Sequence, residues 1–280
     1  MSNNKKIQII YICNDNYKKY SEKFFSTINY FMPGYEKLLT VVTDDIGYFK
    51  FLDDLELNNI YIEYYIMPAE IPYPCVNLSK FAYVKSYISK DYDYIFYFDA
   101  DTYFIEAEQM KWDMLVDRMD NDFLTMSYHT AIISSFLDLG NGSDRRLGHI
   151  ELSKNVCDER PGSILYDSLG VKDPTHIWII SSFFCANRRT MLKFTDMANK
   201  RIKKEMVGEK IDGIPSYNVP RLYDETIANK MVQEYRAGLN NDMKFNIDYF
   251  LTEDEYFVNK FPNVLFIQKY ATETWNKSHN

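Results

Sequence analysis

The sequence predicts an α/β fold with a Rossmann-like, mainly parallel central sheet, and three observations carry that expectation. Segments of strand and helix character succeed one another as strand, helix, strand, strand, helix, strand across residues 7–98, the alternation of a nucleotide-binding α/β half. Tyr94 to Phe98 is an uncharged run with the aromatic and β-branched content of a strand buried on both faces. The run stops at Asp99-Ala100-Asp101, which puts two carboxylates at the carboxyl edge of a buried strand, where open α/β sheets bind their ligands.

Taken in order, Ile7 to Cys13 reads as the first strand, ended by the polar turn Asn14-Asp15-Asn16. A helix fits Tyr17 to Phe31, where Tyr20, Phe24, Ile28 and Phe31 recur at helical spacing, and Pro33-Gly34 stops it. Leu38 to Val42 gives a second strand. Ile60 to Ile66 gives a third, with Ile60, Ile62, Tyr64 and Ile66 alternating. A proline-rich loop, Pro68 to Pro74, precedes a helix from about Asn77 to Lys90 with Leu78, Phe81 and Ile88 on one face, and then comes the central strand. The second half is less regular. A short helix fits Trp112 to Met119 and a strand Phe123 to Tyr128. His129 to Pro174, rich in glycine, reads as a long loop excursion of the kind that usually serves function. Ile177 to Ala186 is apolar again. A helix over Asn187 to Lys204 ends in Arg201, Lys203 and Lys204, which suit a solvated helix C-terminus. Another helix, about Asp224 to Tyr235, carries Ile227, Met231 and Tyr235 on one stripe, and strands at Phe245 to Leu251 and Val264 to Ile267 come after it. With no repeat, low-complexity tract or linker, residues 1–280 read as one domain: a nucleotide-binding half (about 7–105), an acceptor and catalytic half (about 106–270) and a polar tail (271–280).

Composition excludes some partners. The net charge of -8 argues against nucleic acid, whose phosphates select basic surfaces. No stretch has the length and apolarity of a membrane span, and Met1 to Lys6 leads into no signal-peptide core, so a soluble, cytoplasmic protein is expected. Cys13, Cys75, Cys157 and Cys185 form no Cys-x-x-Cys pair and read as reduced, mostly buried thiols. The aromatic share of 16% suits sugar faces and cores alike, and does not choose between them.

Two carboxylates converging at one strand edge repel unless a cation offsets them. Mg²⁺ or Mn²⁺, bound by one or two carboxylates and completed by ligand phosphate oxygens, answers that requirement. The plainer reading of Asp99-Ala100-Asp101 is a strand end that caps the next turn of the chain. Tyr223-Asp224-Glu225-Thr226 opens a helix with a second acidic pair; read alone, that pair is an N-cap and first-turn acid.

A metal-binding Asp-x-Asp that closes a run of strands and helices resembles the GT-A glycosyltransferases. The further stretches are similar to glycosyltransferase family 6, the retaining α-1,3-galactosyl- and N-acetylgalactosaminyltransferases that include the ABO blood-group enzymes. They are YICNDNYKKY at Tyr11 to Tyr20, TVVTD at Thr40 to Asp44, LSKF at Leu78 to Phe81, YFDADTYF at Tyr97 to Phe104, ERP at Glu159 to Pro161, IISSFFCA at Ile179 to Ala186, and YDETIANKM at Tyr223 to Met231. The resemblance implies a GT-A fold and metal-dependent transfer of a hexose from a UDP-sugar to a hydroxyl of an acceptor glycan, forming an α-linkage. It implies Asp99 and Asp101 as ligands of Mn²⁺ (or Mg²⁺) against the diphosphate, and Tyr11, Ile12 and Cys13, with Tyr17 nearby, as the uracil edge. Lys80 stands where the family has a donor-binding arginine, and Ser181-Ser182 where a small pair sizes the sugar pocket. Tyr223 stands where the family usually has histidine. Asp224 would grip sugar hydroxyls and Glu225 would serve as the catalytic carboxylate facing the anomeric carbon. Lys269 or Lys277 would close on the diphosphate, and His129 is a candidate acceptor contact.

Two other readings compete. Phe98 to Thr102 also resembles the first motif of haloacid-dehalogenase-like phosphohydrolases, with Asp99 as nucleophile, although that motif normally sits on a first strand. A non-catalytic sugar-binding relative would keep the aromatic cleft but need not keep Glu225.

Overall fold

The computed structural model describes residues 5–14, 17–67, 75–128, 179–206, 210–211, 214–215, 223–252, 258 and 262–268. Its framework is a seven-stranded sheet. In chain order the strands are β1 (Lys6–Cys13), β2 (Glu36–Thr43), β3 (Ile60–Ile66), β4 (Tyr94–Asp99), β6 (Phe123–Tyr128), β7 (Ile179–Asn187) and β10 (Lys244–Asp248). Across the sheet the order is β10-β6-β7-β4-β1-β2-β3. Strands β3, β2, β1 and β4 run parallel, as do β10 and β6 with each other; β7 alone is antiparallel to its neighbours. The α/β class and mainly parallel sheet expected from the sequence are therefore present, and the sheet draws strands from both halves of the chain.

Strand alternation splits the core between the two faces. Ile7, Ile9, Tyr11 and Cys13 join Phe96 and Phe98 in one cluster. Helix α1 (Lys18–Thr27), the short 3₁₀ turn that extends it and α3 (Gln109–Asp120) fill that face with Phe24, Phe25, Ile28, Phe31, Trp112 and Leu115. Ile10, Ile95 and Tyr97 belong to the other cluster with Phe81 of α2 (Cys75–Tyr87), Phe194 of α4 (Arg188–Met206) and Ile227 and Met231 of α5 (Tyr223–Arg236). Much of the aromatic content goes into this core. The Phe98 ring packs against Phe24, Phe31, Phe104, Phe183 and Phe266, with centroids 4.9–6.3 Å apart.

Two buried amide side chains in this core are paired and help fix register. Gln8 of β1 donates to Thr40 Oγ1 at 2.8 Å and to the Tyr87 carbonyl at 2.7 Å, and accepts from the Ser89 amide at 2.8 Å, which ties the sheet to the end of α2. The amide side chain of Asn229 on α5 donates to the Ile179 carbonyl at 2.8 Å and accepts from the Ile179 amide at 2.9 Å, clamping that helix to the start of β7.

After Asp101 the chain enters β5 (Thr102–Phe104), which pairs antiparallel with β12 (Phe266–Gln268); β12 in turn pairs with β11 (Leu251–Thr252). The expected single strand over Phe245 to Leu251 is thus two strands, β10 and β11, in different sheets. The expected strand from Val264 begins at Phe266. A hairpin of β8 (Lys210–Ile211) and β9 (Ile214–Pro215) completes the set. Two further expectations need correction. Ile66 is 58% exposed, at the end of the edge strand β3, so the alternating stripe of that strand is not buried along its whole length. Arg201 is not a solvated helix-end cation: its guanidinium makes two hydrogen bonds to Glu234 of α5, at 2.6 and 2.8 Å. The excursion His129 to Pro174 lies outside the described residues. Cys13 and Cys185 are buried and free as expected; Cys157 lies outside the described residues and nothing is described of the Cys75 side chain. Among the described residues, no helix is long and apolar enough to cross a membrane.

Candidate functional site

The sheet order makes the site's position predictable. From β1 the chain moves outward to β2 and β3, then returns to place β4 on the other side of β1. The switch point lies between the carboxyl ends of β1 and β4, where ligands bind in open α/β sheets. A polar cleft of about 150 Å³ opens there. Ile12 lines it from β1 and Asn14 from the residue after that strand, Asp99, Ala100 and Asp101 from β4 and the turn after it, Lys80 from α2, Asp224 from α5 and Gln268 from β12. Tyr17, Met67 and Tyr97 complete the wall.

Lys80 is the hub of the charges. Its ammonium lies 2.6 Å from Asp224 Oδ2 and 3.2 Å from Asp99 Oδ1, and reaches the Ser181 carbonyl at 3.5 Å. It also sits 5.2 Å above the Tyr97 ring. Tyr97 donates its hydroxyl to Asp99 Oδ1 at 2.7 Å, and Ser181 donates its hydroxyl to Asp224 Oδ2. Tyr97 and Asp99 share the α2 face of β4 because they are two residues apart on a strand. Burial opposes the Lys80 charge, but Asp224 and Asp99 outweigh it and hold the ammonium well above its ordinary pKa. Burial likewise opposes the Asp224 charge, and the Lys80 ammonium outweighs that too, leaving the carboxyl below its usual range.

Asp101 is in the opposite condition. It is 3% exposed, and its near hydrogen-bond donor is Gln268 Nε2, at 3.2 and 3.3 Å from its two oxygens. Burial first, and the Asp99 charge second, push its pKa up to about 7. Among the described residues, Asp99 is thus ion-paired to Lys80, whereas Asp101 is met by the Gln268 amide.

The candidates read from the sequence divide into those the cleft gathers and those it does not. Ile12, Tyr17, Lys80, Asp99, Asp101 and Asp224 meet in the cleft. Ser181 joins them through Asp224 and Lys80, whereas Ser182 is buried beside it without lining the cleft. Tyr11 and Cys13 reach the same strand edge, but their side chains point to the opposite face. The Tyr11 hydroxyl is 2.8 Å from Ser21 Oγ within the core, and Cys13 Sγ lies 3.6 Å from the same Ser21 hydroxyl. Burial pushes the Cys13 thiol up to about 11. Lys80 is committed to carboxylates rather than left free to reach a phosphate. The Asp224 Oδ2 atom is engaged by Lys80 and Ser181. Glu225 occupies the first turn of α5, next to Asp224; its side chain, Lys269, Lys277 and His129 lie outside the described residues. Sequence reasoning missed Gln268 and Tyr97. Tyr97 was legible from its spacing to Asp99. Gln268 comes from 167 residues further on, and only the β5–β12 pairing brings it to Asp101.

Asp99 and Asp101 supply carboxylate oxygens, the kind a hard divalent cation prefers, with its remaining positions left to water and phosphate. Among the described residues, Gln268 Oε1 is buried without a hydrogen-bond partner. Among the described residues, no group of three or more His, Cys, Asp or Glu side chains gathers as a self-sufficient metal site; a cation here would rely on its ligand. No protein-family model matches the chain, and no curated protein matches it.

Proposed function

We propose that the protein is a metal-dependent retaining glycosyltransferase of GT-A type that moves a hexose from a UDP-sugar to a hydroxyl of an acceptor glycan. The observation that carries this reading is the meeting of Asp99, Asp101 and Asp224 in one cleft at the switch point between β1 and β4. A strand-edge pair alone suits many ligands. The addition of a helix-borne acid held rigid by Lys80 and Ser181 suits a ligand with a diphosphate at one end and hydroxyls at the other.

In this reading the end of β1 and the residue after it present Ile12 and Asn14 to the nucleoside, with Tyr17 beside them. Asp99 and Asp101 would hold a divalent cation, which when bound would supply Lewis-acid neutralisation of the departing diphosphate. Asp224, held by Lys80 and Ser181, offers its other carboxylate oxygen to sugar hydroxyls. Glu225 supplies negative charge to the anomeric carbon as its bond to the diphosphate breaks and the acceptor oxygen bonds to it, the hydroxyl proton leaving with UDP. Lys80 enters as the ion that fixes both acids, a positioning role in place of a phosphate contact.

The phosphohydrolase reading places its nucleophilic aspartate at the end of a first strand. Asp99 instead ends the fourth strand of the chain, which favours the transferase. Incubation with a panel of UDP-sugars and MnCl₂, with and without simple glycoside acceptors, tests the proposal. UDP release that depends on Mn²⁺ and on one sugar supports it. Release of inorganic phosphate from phosphate esters, with every UDP-sugar left intact, overturns it.

A further inference from the structure

We infer that Gln268 is the positioning residue that sets Asp101 for a divalent cation, and that its free amide oxygen takes a hydrogen from water in the cation's shell. The inference rests on the proposal that Asp99 and Asp101 hold that cation.

The oxygen left over on Gln268 is the starting point. Gln268 is 8% exposed and its Nε2 donates to both oxygens of Asp101, so the orientation of the amide is fixed by charge: the N–H side faces the carboxylate and Oε1 faces away. Among the described residues that Oε1 is buried with no partner, although Gln268 lines the cleft. A buried acceptor without a donor is destabilising, so a protein that keeps one beside a ligand cleft gains by having the ligand satisfy it. Mg²⁺ and Mn²⁺ bound by few protein groups retain waters, whose hydrogens are donors of the required kind.

The backbone supports this assignment. Gln268 pairs opposite Thr102, the residue after Asp101, in the β5–β12 ladder, so the amide is carried on a strand rather than a loop. Outer partners that orient a metal-binding carboxylate typically contribute 10–100-fold to metal affinity. Asp99 already has Lys80 and Tyr97 as orienting partners; Gln268 supplies the equivalent for Asp101.

Mn²⁺ binding with and without UDP, monitored by electron paramagnetic resonance, tests the inference on the whole chain. Gln268→Met keeps the shape and removes the amide. Its Mn²⁺ affinity should fall ~10–100-fold with the melting temperature little changed. Thr102→Val, which alters the same strand pair but removes a hydroxyl that has no partner, should bind as wild type does. In wild type, the Gln268 side-chain amide resonance should shift when MgCl₂ is added, a readout that survives even if Gln268→Met folds poorly. Wild-type binding with an unaltered Gln268→Met affinity, or an amide resonance indifferent to MgCl₂ that does bind, overturns the role of Gln268 alone. Failure of wild type to bind either cation overturns the metal reading and the inference with it. Mn²⁺ binding weakened by Gln268→Met in a protein that turns over no UDP-sugar upholds the inference and overturns glycosyl transfer.

Discussion

Lys80 and Asp224 form a buried ion pair, 2.6 Å apart, between helices α2 and α5, and Asp99 at the end of β4 shares the same ammonium at 3.2 Å. One cation therefore joins three elements that are distant in sequence, and it does so at the cleft. Removing one partner of a buried pair leaves the other charge uncompensated, which costs about 3–5 kcal/mol, whereas replacing both with apolar groups is often close to neutral.

Lys80→Met should therefore lower the melting temperature by ~10 °C, and the double variant Lys80→Met/Asp224→Leu should recover much of that loss. Thermal melts read by circular dichroism decide the matter; a single variant that melts within ~2 °C of wild type would show that the pair is not what joins the helices. The shifts set the signs with pH. The Asp224 carboxyl lies below its ordinary 3.8, so its contribution is present above that value and is lost as pH falls through the folded-state pKa. Lys80 lies above 10.5, so its contribution is full below that value and is lost only as pH rises beyond it. Between those limits the pair should contribute a constant amount.

Asp101 predicts the opposite slope. Its pKa rises from 3.8 to about 7 on folding, so the folded state favours the proton, and this group's contribution is lost as pH rises through that window. Asp101→Asn should stabilise the metal-free protein at pH 8 by ~1–3 kcal/mol and have little effect near pH 4. MnCl₂ at pH 8 should raise the melting temperature of wild type but not of Asp101→Asn. Equal stabilisation of both proteins by Mn²⁺ would place the cation elsewhere.

The Asn229 clamp gives a third expectation. Asn229→Leu strands the Ile179 amide and carbonyl inside the core, each at a cost of about 1–3 kcal/mol. Since α5 carries Asp224 and Glu225, loosening it should also reduce turnover in protein that remains folded. Hydrogen exchange at Ile179 and along the first turn of α5 should rise together; exchange that rises at only one of them contradicts the clamp.

Period-2 and period-3.6 patterns made most of the framework legible. The ends of β3 and β6 fall where alternation and flanking turns put them, and the stripe Tyr20, Phe24, Ile28 and Phe31 is buried along its length. Local pattern carries no information on which strand a segment pairs with. That is why the break between β10 and β11, and the β5–β12 pairing that delivers Gln268, were not visible. Alternation itself also told against two of the candidates: on a strand, Tyr11 and Cys13 must face away from whatever Ile12 faces. The acid pair at Asp99 and Asp101 was legible because charge at the end of an apolar run has few structural explanations. The different fates of the two acids were not, since they depend on Lys80 and on Gln268, neither adjacent in sequence.

The last expectation concerns Glu225, on the first turn of α5. Ile227 and Met231 are buried beneath this helix, and Asp224 is tied to Lys80 and Ser181, so the backbone at Glu225 is held from both sides. A preorganised carboxylate is what a developing oxocarbenium centre requires, because it needs no reorganisation at the moment of reaction. If its contribution arises mainly in the transition state, Glu225→Gln should lower kcat much more than it raises KM. Loss of one well-placed group of this kind costs about 10²- to 10³-fold in rate, roughly 3 to 4 kcal/mol. Folding should be little affected, since Gln preserves the shape and the Lys80–Asp224 pair still anchors the helix. The product from an α-linked UDP-sugar should keep the α configuration. Transfer rate and UDP affinity are measured for Glu225→Gln beside wild type, with the anomeric configuration read by NMR. Normal UDP binding with undiminished transfer reduces Glu225 to a first-turn acid favoured by the helix dipole, and a β-linked product removes the retaining mechanism.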